Sequence, residues 1–205
     1  MTIPIVPLTR PWQVLLLGGA SGTGKTTVSY SLAQYFEVGL TEVDDFQVLL
    51  ERMTTPEQQP AIHFWRAHPA PHTLSAEQIF EQGLTLRQVM APGLEAVIAN
   101  HLESQTPVIL EGDFIHPALA AQTSFAGFPN EGRVRAIFLD EPDEQQLVAN
   151  FLRREAEADP QGTRARVSWL YGQWLKQEAE RLGLPVFAAR PWDTLFDRIV
   201  AAVSQ

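Results

Sequence analysis

The strongest indication of the fold of this 205-residue chain is the segment Val14-Leu-Leu-Leu-Gly-Gly-Ala-Ser-Gly-Thr-Gly-Lys-Thr26. Its first four residues form a continuous apolar run, which predicts a strand buried on both faces of a parallel sheet. The segment Gly19–Thr26 then matches G-x-x-x-x-G-K-[ST] without a gap. Such a loop points its backbone N–H groups inward and ends at the positive N-terminus of a helix, so it attracts phosphate.

This loop predicts a site for a nucleoside triphosphate, taken to be ATP, together with Mg²⁺. Lys25 is expected to reach the β- and γ-phosphates, and the Thr26 hydroxyl is expected to bind Mg²⁺. The predicted nucleotide-binding residues of the loop are Gly19, Ala20, Ser21, Gly22, Thr23, Gly24, Lys25, Thr26 and Thr27.

Outward from the loop, strands and helices alternate. Four further apolar segments predict strands at Val38–Val43, Val108–Leu110, Val134–Leu139 and Leu184–Ala188. The pattern predicts an α/β, P-loop NTPase fold with a five-stranded parallel sheet covered by helices on both faces. We expect residues 1–205 to form a single domain with two additions: an acceptor-binding insertion at about 46–100 and a lid at about 151–170.

The insertion contains several signals for the starts and ends of helices. A short helix is predicted from Phe46 to about Met53, followed by a proline-rich loop over Thr54–His72. Ser75–Gln78 and Thr85–Gln88 both resemble capping boxes and predict two helix starts. Pro92 should then bend or divide the second of these helices.

Composition excludes several classes of function. The formal net charge is −9, which argues against a general nucleic-acid binder or a protein of anionic membrane surfaces. The chain has no Cys, so disulfides and thiolate chemistry are excluded. Apolar runs such as Val14–Leu17 are far too short to cross a membrane. We expect a cytoplasmic protein with no nucleic-acid or membrane partner, and the oligomeric state stays open.

Three classes of phosphate-loop protein remain. A GTPase should carry D-x-x-G and N-K-x-D motifs, and the chain has neither. The segment Ala136–Pro142 resembles the Walker B strand of ABC ATPases, yet the L-S-G-G-Q signature of those proteins is missing. A small-molecule kinase needs phosphate binding, a metal and a carboxylate near the acceptor hydroxyl, and this class explains more of the sequence.

Two segments resemble known kinases. Val43-Asp-Asp-Phe46 is similar to the second-strand motif of nucleoside and nicotinamide riboside kinases. The resemblance implies that Asp44 accepts the proton of the acceptor hydroxyl, with Asp45 as the second choice; alternatively, the two acids cap the helix that follows. Val108–Gly112 is similar to the V-x-x-E-G segment of the same kinases, which implies that Glu111 lies near the metal, a ligand role shared with Thr26.

Over most of the chain, the sequence resembles 2-phosphoglycerate-kinase-like P-loop kinases, through Leu16–Thr26 and Pro107–Pro117. The resemblance implies transfer of the γ-phosphoryl group of ATP, with Mg²⁺, to a hydroxyl of a small-molecule acceptor. Asp113 stands where that family has an apolar residue or His, so the acceptor is open. A regulatory ATPase without an acceptor, and a toxin-type kinase acting on a nucleotide sugar, are the alternatives.

The remaining candidates lie in the lid, the acceptor region and the last loop. Four arginines flank the turn Asp159–Gly162 and resemble the lid of such kinases, although pairing with Glu155 and Glu157 would also explain them: Arg153, Arg154, Arg164 and Arg166. Arg190 or Trp192 is a candidate to stack on the nucleotide base.

The predicted catalytic residues are Lys25, Asp44, Glu111, Arg153, Arg154 and Arg164. The predicted acceptor-binding residues are Asp44, Asp45, Phe46, Arg66, Asp113 and His116. The histidines at 63, 68 and 72 match no usual metal-ligand spacing.

Overall fold

The apolar run after Gln13 forms the central strand of a parallel sheet. The protein is described by a computed structural model over residues 10–68, 70, 73–155 and 161–205. Its strands are β1 (Val14–Gly19), β2 (Gly39–Glu42), β3 (Val108–Glu111), β4 (Ser124–Phe125), β5 (Phe128–Pro129), β6 (Val134–Asp140) and β7 (Val186–Ala188). Five of them form one parallel sheet in the order β2-β3-β1-β6-β7, and β4 and β5 form a short hairpin. The predicted five-stranded parallel sheet is therefore confirmed.

Helices cover both faces of this sheet, as predicted. They are α1 (Lys25–Phe36), α2 (Asp44–Met53), α3 (Pro60–Ala67), α4 (Ala76–Ser104), α5 (Pro117–Ala120), α6 (Glu144–Arg154), α7 (Gln161–Arg181) and α8 (Trp192–Val203). Alternate residues of β1 face opposite sides: Val14 and Leu16 pack with α4 and α7, while Leu15 and Leu17 pack with α1 and α8. This two-sided burial is why β1 is apolar at every position.

The strand register brings three segments to one edge of the sheet. Leu17 of β1 pairs with Glu111 of β3, and Glu111 pairs with Glu42 of β2. Because parallel strands end at the same edge, the segments after β1, β2 and β3 lie side by side there. Those segments are the phosphate loop, the start of α2 and residues 112–113.

The insertion differs from its prediction in three respects. The predicted loop Thr54–His72 contains α3, which Pro60 can begin because the first helical position needs no N–H. The predicted helix start at Thr85 is wrong, because α4 runs unbroken from Ala76 and the Thr85 hydroxyl donates back to Glu81 O. Pro92 lies inside α4 and does not divide it. The capping box of Ser75 and Gln78 is confirmed.

The predicted lid region holds α6 and the start of α7. Helix α6 begins at Glu144, and the Asp143 side chain caps it by accepting a hydrogen bond from Gln145 N. Two of the four residues of the predicted turn, Asp159 and Pro160, lie outside the described residues, and the other two, Gln161 and Gly162, begin α7. Within the described ranges, no helix combines the length and apolar character needed to cross a membrane.

Candidate active site

The phosphate loop ends in a tight turn that places Lys25 at the edge of the sheet. Gly24, with φ of 86°, caps α1 in the left-handed region, which an L side chain rarely adopts. Lys25 begins α1 and is largely buried. Its Nζ donates to Ala20 O at 3.1 Å and to Asp113 Oδ1 at 2.7 Å. The loop lysine is therefore in contact with a carboxylate that the sequence assigns to acceptor binding.

Thr26 and Glu111 form the candidate Mg²⁺ pair. Thr26 Oγ1 donates to Glu111 Oε1 at 3.4 Å, and the Glu111 side chain is buried at the end of β3. Burial raises the pKa of Glu111 to about 7, and nearby Lys25 opposes this shift. Mg²⁺ prefers hard oxygen ligands and usually takes only one or two from protein, with waters and phosphates completing its shell. A hydroxyl and a carboxylate that meet beside a phosphate loop fit this ion.

Asp44 is a further acid at this edge of the sheet. It begins α2, and its Oδ1 accepts a hydrogen bond from Asp113 N at 3.0 Å. The carboxyl keeps contact with solvent, yet the protein packed around it and the nearby Asp113 raise its pKa to about 6. Asp45 is exposed, and no side chain forms a capping hydrogen bond at the start of α2. Capping therefore does not explain the Asp-Asp pair.

Asp113 connects the parts of this site. Besides Lys25 and Asp44, it contacts two residues that the sequence analysis missed: its carbonyl oxygen accepts from Arg87 Nε at 2.9 Å and from Tyr171 OH at 2.7 Å. The Arg87 guanidinium lies over the Tyr171 ring, 3.5 Å from its centre. Arg87 stands inside the supposed capping box of 85–88, and Tyr171 fits the apolar face of a helix, so neither pattern distinguishes them as site residues.

Gly112 makes the close approach of these residues possible. Its φ is +153°, and a Cβ there would lie 2.6 Å from Val43 Cγ2 and 2.7 Å from Asp44 Oδ1. Any other residue would push the start of α2 away from residue 113. The glycine of the E-G segment is thus explained by the packing of β2 and β3 ends against each other.

Helix α6, part of the predicted lid, contacts the phosphate loop. Asn150 Nδ2 donates to Gly22 O at 2.8 Å, a contact that the sequence did not predict. Arg154 and Arg164 both pair with Glu155, with N–O distances of 3.0 and 2.7 Å. Arg166 pairs with Glu144 at 3.3 Å and with Glu77 of α4 at 3.6 Å. Arg153 forms no ion pair with any residue in the described part of the chain. The alternative interpretation, pairing with Glu155, therefore holds for Arg154 and Arg164, whereas Arg166 pairs with glutamates of other segments and Glu157 lies outside the described residues.

The two candidates for base stacking differ. Arg190 donates two hydrogen bonds of 2.7 Å to the fully buried Glu141 carboxylate, which fixes its guanidinium. Trp192 begins α8 and is 39% exposed. Its Nε1 is 3.8 Å from the position that a Cβ on Gly24 would take. Trp192 thus lies against the phosphate loop with a free face, whereas Arg190 is engaged in an ion pair.

Three predicted acceptor residues have other contacts. Phe46 packs against the core beside α4. Arg66 is 56% exposed, and its NH1 lies 3.9 Å from Glu51 Oε2 on α2, so no contact joins it to the carboxylate cluster. His116 accepts a hydrogen bond from Leu119 N and caps α5, and its pKa is lowered by burial and by Arg87. Of the histidines, His63 contacts Thr54 Oγ1 at 3.0 Å, and His72 lies outside the described residues.

Comparisons with known proteins agree with the fold. No family model matches the chain. Over 110 residues it is 29% identical to a 2-phosphoglycerate kinase of Pyrococcus furiosus, a match that covers 51% of this chain and 36% of that protein. The chain thus spans about a third of the length of this curated relative.

Solved structures extend the likeness to nearly the whole chain. A deoxyadenosine kinase from M. mycoides with bound dATP superposes with a TM-score of 0.52 at 11% identity, covering 94% of this chain and 100% of that one. A gluconokinase from Sinorhizobium meliloti 1021 gives a TM-score of 0.48 at 15% identity, covering 96% and 94%. The resemblance to P-loop small-molecule kinases is confirmed, and the chain has their α/β nucleotide-kinase-like fold.

Proposed function

We propose that this protein is an ATP-dependent phosphotransferase that moves the γ-phosphoryl group to a hydroxyl of a small-molecule acceptor. One observation carries the proposal: a complete phosphate loop, a threonine–glutamate pair and a second carboxylate meet at a single sheet edge. Thr26 and Glu111 are in contact, and Asp44 is joined to Lys25 through Asp113. A protein that only binds nucleotide has no need of the acid at position 44.

Asp44 is the proposed general base. Its pKa of about 6 keeps it ionised at neutral pH and leaves it basic enough to take a hydroxyl proton. As the acceptor oxygen forms a bond to the γ-phosphorus, the bond from phosphorus to the β,γ-bridging oxygen breaks. The bridging oxygen keeps the electron pair and leaves as part of ADP, while the acceptor proton passes to Asp44.

The other residues stabilise charge. Lys25 and the N–H groups of Gly19–Thr26 bind the phosphates, and Arg153, Arg154 and Arg164 supply the positive charge of the lid, which excludes water from the transferring group. Thr26 and Glu111 would hold Mg²⁺, which would supply positive charge to neutralise the phosphates. Trp192 lies against the loop and is the better candidate to stack on the base, because the Arg190 guanidinium is engaged with Glu141.

The test is a measurement of ADP production from ATP and Mg²⁺ with and without candidate acceptors. The panel contains sugar acids, phosphorylated hydroxy acids, nucleosides, nucleotide sugars, and aminoglycoside and phenicol antibiotics. We expect at least one acceptor to raise turnover and to be recovered with an added phosphate by mass spectrometry. Lys25→Ala should abolish this turnover, because transition-state charge stabilisation at this position is worth several kcal/mol.

Two outcomes would contradict the proposal. ATP hydrolysis that no acceptor stimulates would favour the regulatory ATPase. Equal turnover by the parent protein and Lys25→Ala would remove the assigned nucleotide site altogether.

A further inference from the structure

Asp113 holds the ammonium group that the nucleotide phosphates need. Its Oδ1 lies 2.7 Å from Lys25 Nζ, and the second partner of Nζ is Ala20 O at 3.1 Å. In a loop of this sequence the lysine binds the β- and γ-phosphates. Carboxylate and phosphate oxygens are both anionic acceptors for the same N–H donors. The Asp113 carboxylate and the phosphates are therefore competitors for Lys25.

The backbone of Asp113 is fixed from three other elements. Its amide donates to Asp44 on α2, and its carbonyl accepts from Arg87 on α4 and Tyr171 on α7. The preceding Gly112 has no room for a side chain. Because this backbone is fixed, the Asp113 carboxylate can leave Lys25 only by rotation of the Asp113 side chain. It therefore stays close to any phosphate that takes its place at Lys25.

Charge makes this proximity unfavourable for a nucleotide. The Asp113 side chain is 25% exposed and the Lys25 side chain 6%, so both groups are partly shielded from solvent. Charges interact more strongly where water is displaced. A triphosphate offers Lys25 two phosphate groups and a diphosphate offers only one. ADP therefore competes less effectively than ATP with the Asp113 carboxylate for Lys25.

We infer that Asp113 is a specificity-determining residue of the nucleotide site, which lowers the affinity for ADP more than the affinity for ATP. The inference rests on the nucleotide-binding part of the proposed function, and it adds a role on the nucleotide side to a residue that the sequence assigned only to the acceptor. Its consequence for catalysis is easier release of the product nucleotide.

The test compares nucleotide dissociation constants of the parent protein and Asp113→Asn by calorimetry. The ligands are ADP, a non-hydrolysable ATP analogue and adenosine, each in Mg²⁺ and in EDTA. Asn keeps the shape and removes the charge, so we expect ADP to bind about tenfold more tightly, the ATP analogue to gain less, and adenosine to be unchanged. The control is Glu103→Gln, which removes an exposed charge near the end of α4, at the opposite edge of the sheet.

Removing the carboxylate leaves Lys25 without its ion pair, so a thermal melt must accompany each variant. Asp113→Ser offers a second, smaller uncharged side chain should the Asn protein fold poorly. The inference is overturned if ADP binding is unchanged, if ADP and the ATP analogue gain equally, or if Asp113→Asn weakens binding only in Mg²⁺, which would make Asp113 a metal ligand.

The same data separate this inference from the proposed function. If ADP binds more tightly to Asp113→Asn but no acceptor drives turnover, the inference stands and the phosphotransferase proposal fails. If neither the parent protein nor the Asp113 variants bind any nucleotide, both are wrong.

Discussion

Asp44 and Asp45 are neighbours in sequence with different surroundings, and this difference predicts their separate effects. Both residues are exposed, but Asp44 accepts a hydrogen bond from Asp113 N, whereas Asp45 forms no side-chain hydrogen bond within the described residues. General-base assistance contributes about 10²- to 10⁴-fold, so Asp44→Asn should lower kcat by that range with ATP affinity little changed. Asp45→Asn should change kcat and the melting temperature only slightly, because its side chain caps nothing.

Steady-state kinetics and a thermal melt on both variants check this prediction. In the parent protein kcat/KM should also fall as the pH drops below about 6, because Asp44 must be ionised to act as a base. If Asp45→Asn abolishes turnover while Asp44→Asn does not, the two roles are reversed.

Glu111 makes the stability of the metal-free protein depend on pH. Its pKa rises from an ordinary 4.5 to about 7 in the folded chain, so the folded state binds more protons than the unfolded state between these values. The free energy of unfolding therefore decreases as the pH rises through this window and stays lower above it. Glu111→Gln removes the ionisation and should stabilise the protein by roughly 1–3 kcal/mol at pH 8.

Denaturant unfolding in EDTA at pH 4 and pH 8 measures this effect. The gain from Glu111→Gln should vanish at pH 4, where both side chains are neutral, and the variant should lose Mg²⁺-dependent turnover. A gain of equal size at both pH values would show that something other than ionisation is responsible.

At the scale of elements, two glycines offer a matched comparison. A Cβ at Gly112 would collide with Val43 and Asp44, whereas a Cβ at Gly93, inside α4, meets nothing within 4 Å. Gly112→Ala should lower both the melting temperature and kcat, because it displaces α2 from residue 113. Gly93→Ala should stabilise the protein by about 0.5–1 kcal/mol, since Ala is the better helix former.

Thermal melts and kcat of the two alanine variants decide this point. If Gly112→Ala melts and turns over like the parent protein, the close contact between the ends of β2 and β3 is not needed for the site.

The predicted lid can be tested by comparing α6 and α7 in the free protein and in the complex with nucleotide and acceptor. Three of the four lid arginines, Arg154, Arg164 and Arg166, pair with Glu155, Glu144 and Glu77, which are solvent-accessible partners that phosphate can replace. Hydrogen exchange should therefore slow in peptides covering α6 and the first turns of α7 when nucleotide and acceptor bind together. Equal exchange in the free protein and the ternary complex would show that these helices do not close over the site.

At the scale of the whole molecule, local patterns predicted the sheet and the nucleotide side of the site. Runs such as Val14–Leu17 are apolar because both faces are buried, and the loop Gly19–Thr26 has a fixed spacing. Arg87 and Tyr171 could not be found in this way, because they reach Asp113 from helices distant in sequence. Arg66, the arginine that the sequence singles out, lies near Glu51 instead of the carboxylate cluster, because a local pattern does not tell which face of a region turns toward the sheet edge.

The sharing of Asp113 among four elements has a consequence for protein engineering. Exchanging the segment 46–100 for that of another kinase, in order to change the acceptor, would also remove Arg87 and with it one support of the residue that contacts Lys25. In the enzyme that we propose, acceptor choice and nucleotide binding are therefore not separable. We expect a chimera that keeps Arg87, together with Gly112, to retain nucleotide binding better than one that loses Arg87.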